Sequence, residues 1–188
     1  MSTQIHPVLT VDDLDALPDD DNRYELVEGE LLVSRAPSLT HQRISGNIFA
    51  CLWTYLSQNP IGEVITTPGV IFDEHNAVIP DLVYMSRETA AAVASGKHIT
   101  GAPDLAVEVV SPGAEGARRD RSLKRQVYSK NGVKEYWIAD PERRTVEVYR
   151  LQNQILEPAA TLTIEDALTS PLLPGLRCSV RDIFPAEA

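Results

Sequence analysis

The stretch APDLAVEVVSP, Ala102 to Pro112, is an apolar run fit for a buried strand, yet Glu108 stands in the middle of it. Strand alternation in LAVEVV sends Leu105, Val107 and Val109 one way and Ala106, Glu108 and Val110 the other, so Glu108 shares its face with apolar neighbours. An ionised carboxylate there is costly unless a cation, a donor or a proton compensates it, and a divalent metal ion is one frequent solution. The preceding run VIPDLVYM repeats the anomaly, with Asp81 on the face of Ile79 and Val83. Left uncompensated, two such carboxylates repel each other and raise at least one pKa. The alternative, that each accepts hydrogen bonds at a strand end or pairs with an arginine, stays open on these residues alone.

A second Pro-Asp pair, Pro103-Asp104, is excluded from the same ion by geometry. Asp104 and Glu108 are four residues apart, hence about 13 Å apart at about 3.3 Å per strand residue. Ligand oxygens of Mg²⁺ lie about 2.0–2.1 Å from the ion, too close for both. Asp104 is read as the residue that opens the strand. Lys124 follows Leu123 on a helical stretch and can lean over the sheet edge where Glu108 emerges. His41 and Gln42 open another helix and can face the same cavity, whereas His6, His75 and His98 show no H-x-x-x-H spacing. Zinc is not indicated. Cys51 and Cys178 have no C-x-x-C spacing and read as packing residues rather than a disulfide framework. There is no G-x-S-x-G elbow, P-loop or G-x-G-x-x-G to offer a rival mechanism.

These residues need elements to hold them. TVDDLDALP reads as a short helix with Thr10 as N-cap and Pro18 as stop. RYELVEGELLVSR alternates around Gly29 as a β-hairpin. From His41 to Gln58, Ile44, Ile48, Cys51, Leu52 and Tyr55 recur at helical spacing, the pattern of an amphipathic helix packed on a sheet. EVITTPGVIF, VIPDLVYMS and PDLAVEVVSP are three strand candidates, the last two apolar on both faces like central strands of a covered sheet. RETAAAVASG reads as a short helix between them. After the loop SPGAEGAR comes a helix with Asp120 as N-cap, Leu123 and Val127 as its apolar pair and Gly132 as its stop. VKEYWIAD and RTVEVYRL are strands joined by the turn DPERR, and the tail predicts a short strand, a Pro-rich connection and a last helical turn. The fold class is α/β (α+β), a mixed sheet flanked by helices with an N-terminal β-hairpin.

With 188 residues and 43% hydrophobic content, the chain reads as one domain spanning 1–188. No apolar run approaches the roughly 18 residues of a membrane span, and the N-terminus lacks a signal-peptide pattern, so a cytoplasmic location is expected. The net charge of −10 is unevenly spread: residues 1–30 hold nine acids and one base, leaving −2 for the remaining 158. By contrast RRDRSLKRQVYSKNGVK, Arg118 to Lys134, has seven bases and one acid, a local basic surface or a solvated helix face. Strands such as RTVEVYRL are candidates for pairing across a two-fold axis, which makes a homodimer an expectation.

The ordered series YELVEGEL, HQRISGNI, IPDLVYMS, PDLAVEVVSP, RDRSLKRQVYSKNGVKEYWIADPERRTVEVY and LPGL resembles the Uma-two family of restriction-endonuclease-like proteins, a branch of the PD-(D/E)XK nuclease superfamily, over roughly residues 10–184. That resemblance implies a restriction-endonuclease-like domain with its core about residues 23–151. It also implies a phosphodiesterase site using Mg²⁺ or Mn²⁺ and acting on DNA. Asp81 matches the Pro-Asp aspartate and Glu108 the acid that opens (D/E)XK. Val110 stands where the superfamily lysine belongs, and Lys124 on the following helix matches the lysine this branch supplies instead. Glu25 matches an N-terminal acid that completes the metal shell. A non-catalytic binding or regulatory protein on the same fold is the alternative, since fold does not fix function.

Overall fold

The structure is a computed structural model describing residues 8–111, 113, 116 and 118–185. Its elements in chain order are α1 (Val11–Leu14), β1 (Arg23–Val27), β2 (Glu30–Ser34), α2 (Leu39–Gln58), β3 (Gly62–Thr66), β4 (Val70–Asp73), β5 (Asn76–Val78), β6 (Leu82–Ser86), α3 (Arg87–Val93), β7 (Ala94–Ser95), β8 (His98–Thr100) and β9 (Leu105–Val109). A π-helical turn, π1 (Arg119–Lys124), then runs into α4 (Arg125–Lys130). β10 (Glu135–Asp140), β11 (Thr145–Gln152), β12 (Ile155–Leu162), β13 (Ala167–Ser170), β14 (Leu173–Ser179) and α5 (Val180–Ile183) follow. Two mixed sheets of order β2-β1-β5-β4-β8-β7 and β12-β11-β10-β9-β6-β3, with the β13-β14 hairpin, make the expected α+β architecture flanked by helices.

Every residue of β9 and of β10 is buried, as near-continuous apolar strands of a covered sheet must be. They pair in parallel, Glu135 opposite Leu105 through Ala139 opposite Val109. Parallel neighbours need a crossover, and here π1 and α4 supply it. One face of the sheet, with Leu105, Val107, Val109 and Trp137, packs on Ile44, Ile48 and Leu52 of α2 and on the C-terminal hairpin. The other, with Val83, Ala106, Tyr136 and Ile138, packs on Val127 and Tyr128 of the crossover and on Val27, Val70 and Val78 of the first sheet. Glu108 has the parity of this second face, beneath the crossover.

Several expectations are met locally. The β1–β2 hairpin turns through Glu28 and Gly29, both at positive φ (52° and 75°), the two-residue turn whose twist suits a hairpin. Ser38 caps α2 by accepting from the His41 N–H at 3.2 Å. Gly132, at φ 84°, lies two residues past Lys130, the last residue of α4.

Other expectations are corrected. VIPDLVYM is not one strand: β5 belongs to the first sheet and β6 to the second, and Ile79–Asp81 is the link at which the chain changes sheets. Pro80 has no N–H to give a ladder, which favours a break there. EVITTPGVIF likewise divides into β3 and β4 around Thr67, at φ 46°. Asp120 caps nothing, because Arg118 is already helical and Asp120 lies inside π1. Pro112, Ala114, Glu115 and Ala117 of the expected loop lie outside the described residues, as does His6. The tail is richer in strand than its prolines suggested, since Pro158 sits in β12 and Pro174 in β14, strands with one open edge. β11, flanked by β10 and β12, has no open edge for pairing with a second copy.

Cys51 of α2 and Cys178 of β14 are joined in a disulfide across 127 residues of sequence, Cα atoms 6.1 Å apart, which overturns their reading as packing residues. Spacing alone could not show it, because the fold brings two distant elements together. The bridge pins the C-terminal hairpin to α2. Closing so long a loop restricts the unfolded chain, so the Cys51→Ser/Cys178→Ser pair should lower unfolding free energy by about 2–4 kcal/mol, read as a lower urea midpoint than the oxidised wild type. Equal midpoints would show that the bridge contributes nothing.

Candidate metal and phosphodiester site

Three sheet-borne acids and the crossover helix converge beneath β9. Glu108 rises from β9, and Asp81 stands just before β6, whose Leu82 and Val83 pair with Val107 and Ala106. Strand parity puts both on the face under the crossover. Asp81 is fixed against Glu108's own strand, because its Oδ2 accepts from the N–H of Val109 at 2.8 Å. Its Oδ1 lies 2.8 Å from His41 Nε2 and 3.7 Å from the Arg23 guanidinium. A carboxylate only accepts, so Nε2 of His41 carries the proton. Glu25, from β1, accepts from the Ile79 N–H at 2.7 Å, tying the hairpin to the link where the chain changes sheets.

Lys124 closes the cluster. Its Nζ lies 2.9 Å from Glu25 Oε1 and 2.9 Å from Glu108 Oε1, and it is 3% exposed. Tyr128, one turn along the same helix, donates to Glu108 Oε1 at 2.8 Å. Asp120, one turn before Lys124, is 5% exposed and faces the same charges. Its main-chain carbonyl accepts from Tyr136 OH at 3.1 Å, which seats π1 on β10. A π turn at a site of this kind is common, because its wider winding re-aims side chains.

Neither acid is left uncompensated: Asp81 has a histidine, a main-chain N–H and a nearby arginine, and Glu108 has a lysine and a tyrosine. Among the described residues no three His, Cys, Asp or Glu side chains are grouped as ligands of one metal ion. The Lys124 ammonium sits between two of the acids and supplies the cation. Arg23, Asp120 and Tyr128 were not read as site residues from sequence. The spacing Asp120, Lys124, Tyr128 repeats every fourth residue and was a usable signal, hidden by reading Asp120 as a cap. Gln42 is exposed, His75 bonds the Leu9 carbonyl oxygen, and Asp104 is spent on the Ser86 N–H and Lys134.

Burial pushes the Glu108 carboxyl well above the usual range; Lys124 opposes this, and Asp81, Asp120 and Glu25 add to it. Burial lowers the Lys124 ammonium, but Glu108, Glu25 and Asp120 together outweigh it and hold its pKa above the ordinary value. The two directions pull the pair apart. The two short contacts favour a charged ammonium whose countercharge is spread over Glu25 and Glu108. Asp120 is pushed up to about 6, chiefly by burial, with Lys124 and Arg119 opposing.

The basic run is not a free surface. Arg121 binds Asp140 and Glu147 at 2.6 Å, Lys130 pairs with Glu28, Lys134 with Asp104, and Arg125 lies over the Tyr149 ring. Arg118 and Arg119 border a cleft against Glu30–Val33 of β2.

An acid whose pKa is raised on folding stabilises the protein below its unfolded pKa and loses that contribution as pH rises through the folded value. For Asp120 the window is 3.8 to about 6, and Glu108 acts in the same direction. Metal-free protein should therefore lose stability as pH rises from 4 to 6.5, and Asp120→Asn should make that fall smaller. Urea midpoints across this window check it; a wild-type curve that is flat or rising would contradict it.

Comparison with known proteins bears on this geometry. Residues 11–181 match the model of a family described as "Uma2: Putative restriction endonuclease". Among solved structures, a crystal structure described as a putative nuclease belonging to DUF820 from Anabaena variabilis aligns with TM-score 0.73 and 20% identity, covering 94% of this chain and 97% of that one. Comparison with curated proteins returns no match. The structural likeness extends to the fold, and the family match spans nearly the whole chain: the protein belongs to the Uma2 family of restriction-endonuclease-like proteins.

Proposed function

We propose that the protein is a divalent-cation-dependent phosphodiesterase acting on DNA, with Asp81, Glu108 and Lys124 as its catalytic residues. The observation that carries this reading is four buried acids over the central strand β9, Glu25, Glu108 and Asp120 facing one lysine and Asp81 facing Glu108. Such an excess of hard oxygen donors over cations fits Mg²⁺ or Mn²⁺. Asp81, Glu108 and Glu25 would hold the ion, which supplies Lewis-acid polarisation of a phosphoryl oxygen and acidifies a water. Lys124, released from the acids, stabilises charge building on the phosphate. His41 and the Val109 N–H keep Asp81 oriented, and Tyr128 holds Glu108. Arg23, partly exposed beside Asp81, is placed to meet an incoming phosphodiester.

On this reading the chain works in the cytoplasm as one domain of residues 1–188, core about 23–151. Two copies would serve the two strands of DNA, meeting through an open sheet edge such as β12 rather than through β11. One observation favours the second reading, a non-catalytic relative that binds or regulates: Lys124 alone already bridges two of the acids.

Nicking of supercoiled plasmid separates the two. Purified protein with Mg²⁺ or Mn²⁺ should nick, chelator should stop it, and Glu108→Gln or Asp81→Asn should lower the rate at least a hundredfold. Lys124→Ala should also lose cleavage, about 10²–10³-fold if it stabilises transition-state charge. Metal-independent nicking, or wild-type rates in Glu108→Gln, would return the protein to the non-catalytic reading.

A further inference from the structure

Most bases of the run Arg118 to Lys134 are committed. Arg121 binds Asp140 and Glu147, Lys124 binds Glu25 and Glu108, Lys130 and Lys134 pair with Glu28 and Asp104, and Arg125 lies over the Tyr149 ring. Arg118 and Arg119 are the exceptions, with no ion pair or hydrogen bond among the described residues. Both line one cleft, closed by Leu123 and by the segment Glu30–Val33 of β2. Arg118 is exposed and Arg119 partly so, and Arg119 also acts on the neighbouring Asp120. The cleft holds about 180 Å³, less than the roughly 300 Å³ at which pockets begin to take drug-sized ligands, so it suits one small group. Two guanidinium groups against the single carboxylate of Glu30 give it a net positive charge. The planar fork of arginine matches the oxygens of a phosphate.

We propose that this cleft seats a phosphodiester group of the DNA strand, next to the one that meets the acid cluster, with Arg118 and Arg119 as positioning residues. The inference rests on the phosphodiesterase reading, which supplies the strand. Two placements tie the cleft to the cluster. Leu32 is the ladder partner of Glu25, and opposed residues of an antiparallel pair share a face with Cβ atoms about 4.5–5.5 Å apart. Leu123 adjoins Lys124 on π1. The cleft and the acids are thus built from the same two elements, the hairpin and the crossover. A polyanion approaching buried carboxylates is repelled, and two uncommitted arginines beside them offset that repulsion.

The probe is a short labelled DNA duplex in chelator, where the metal-dependent reading allows no cleavage. Fluorescence anisotropy at several NaCl concentrations gives Kd and its salt dependence, and urea midpoints establish that each full-length variant is folded. Arg118→Gln/Arg119→Gln should bind at least tenfold more weakly, with the slope of log Kd against log salt smaller by about one, the loss of one neutralised phosphate. Arg118→Lys/Arg119→Lys should keep the slope, and Glu30→Gln should tighten binding. Arg177→Gln, at an exposed arginine of β14 outside this cleft, should stay near wild type. Wild-type affinity and slope in the glutamine double variant would overturn the assignment, and nicking would then decide the phosphodiesterase reading by itself. A loss no larger than that of Arg177→Gln would reduce the effect to overall charge and overturn it too. Calorimetric binding of inorganic phosphate at the two arginines without duplex binding would make the cleft a free-anion site and end the strand assignment. Duplex held through the two arginines with no nicking under Mg²⁺ or Mn²⁺ would uphold the cleft and remove the chemistry.

Discussion

The buried ion pair that Lys124 makes with Glu25 and Glu108 joins three parts of the molecule at one nitrogen: the N-terminal hairpin, the central strand β9 and the crossover helix. Removing one partner of a buried pair costs about 3–5 kcal/mol, because it strands the charges left behind. With one lysine among four acids, the remaining negative charge is met by Arg23 and by hydrogen-bond donors, while burial raises the pKa of Glu108 and of Asp120. The cluster is therefore stable without an ion and still short of cations. Both properties follow from the same geometry.

Two features of the chain build that geometry. The parallel pairing of β9 with β10 demands a crossover, and the crossover is the helix that brings Asp120, Lys124 and Tyr128 over Glu108. The other is the link at Ile79–Asp81, where the chain leaves one sheet for the next. There the Ile79 N–H, outside any ladder, is free to bind Glu25, and the Asp81 carboxylate is free to bind Val109 and His41. Lys124 reaches Glu108 from the crossover, whereas Val110 belongs to the apolar packing beneath it. Val110 is 7% exposed within the apolar cluster that packs under the crossover.

Much of this was legible because local signals and burial agree. The hairpin about Gly29, the apolar stripe of α2 and the alternation in LAVEVV each state their structure within a few residues, and Glu108 stands out against its neighbours for that reason. What was not legible depends on long-range contacts. The split of VIPDLVYM hinges on which sheet each half joins, and the Cys51–Cys178 bridge on two elements 127 residues apart. The basic run looked like a surface because its partners, Asp104, Asp140, Glu147 and Glu28, come from elsewhere in the chain. Asp120 was misread because an Asp before an apolar stripe usually caps a helix, and nothing local announces a π turn.

The central claim is that the Lys124 ammonium and a divalent ion occupy the same place among the acids. The direct measurement is the Mn²⁺ dissociation constant of wild type and Lys124→Met, followed by the loss of the free Mn²⁺ electron-paramagnetic-resonance signal at fixed pH. If the two cations compete, removing the lysine leaves the acids uncompensated and Lys124→Met binds Mn²⁺ more tightly than the wild type. Weaker or unchanged binding in folded Lys124→Met would contradict the claim.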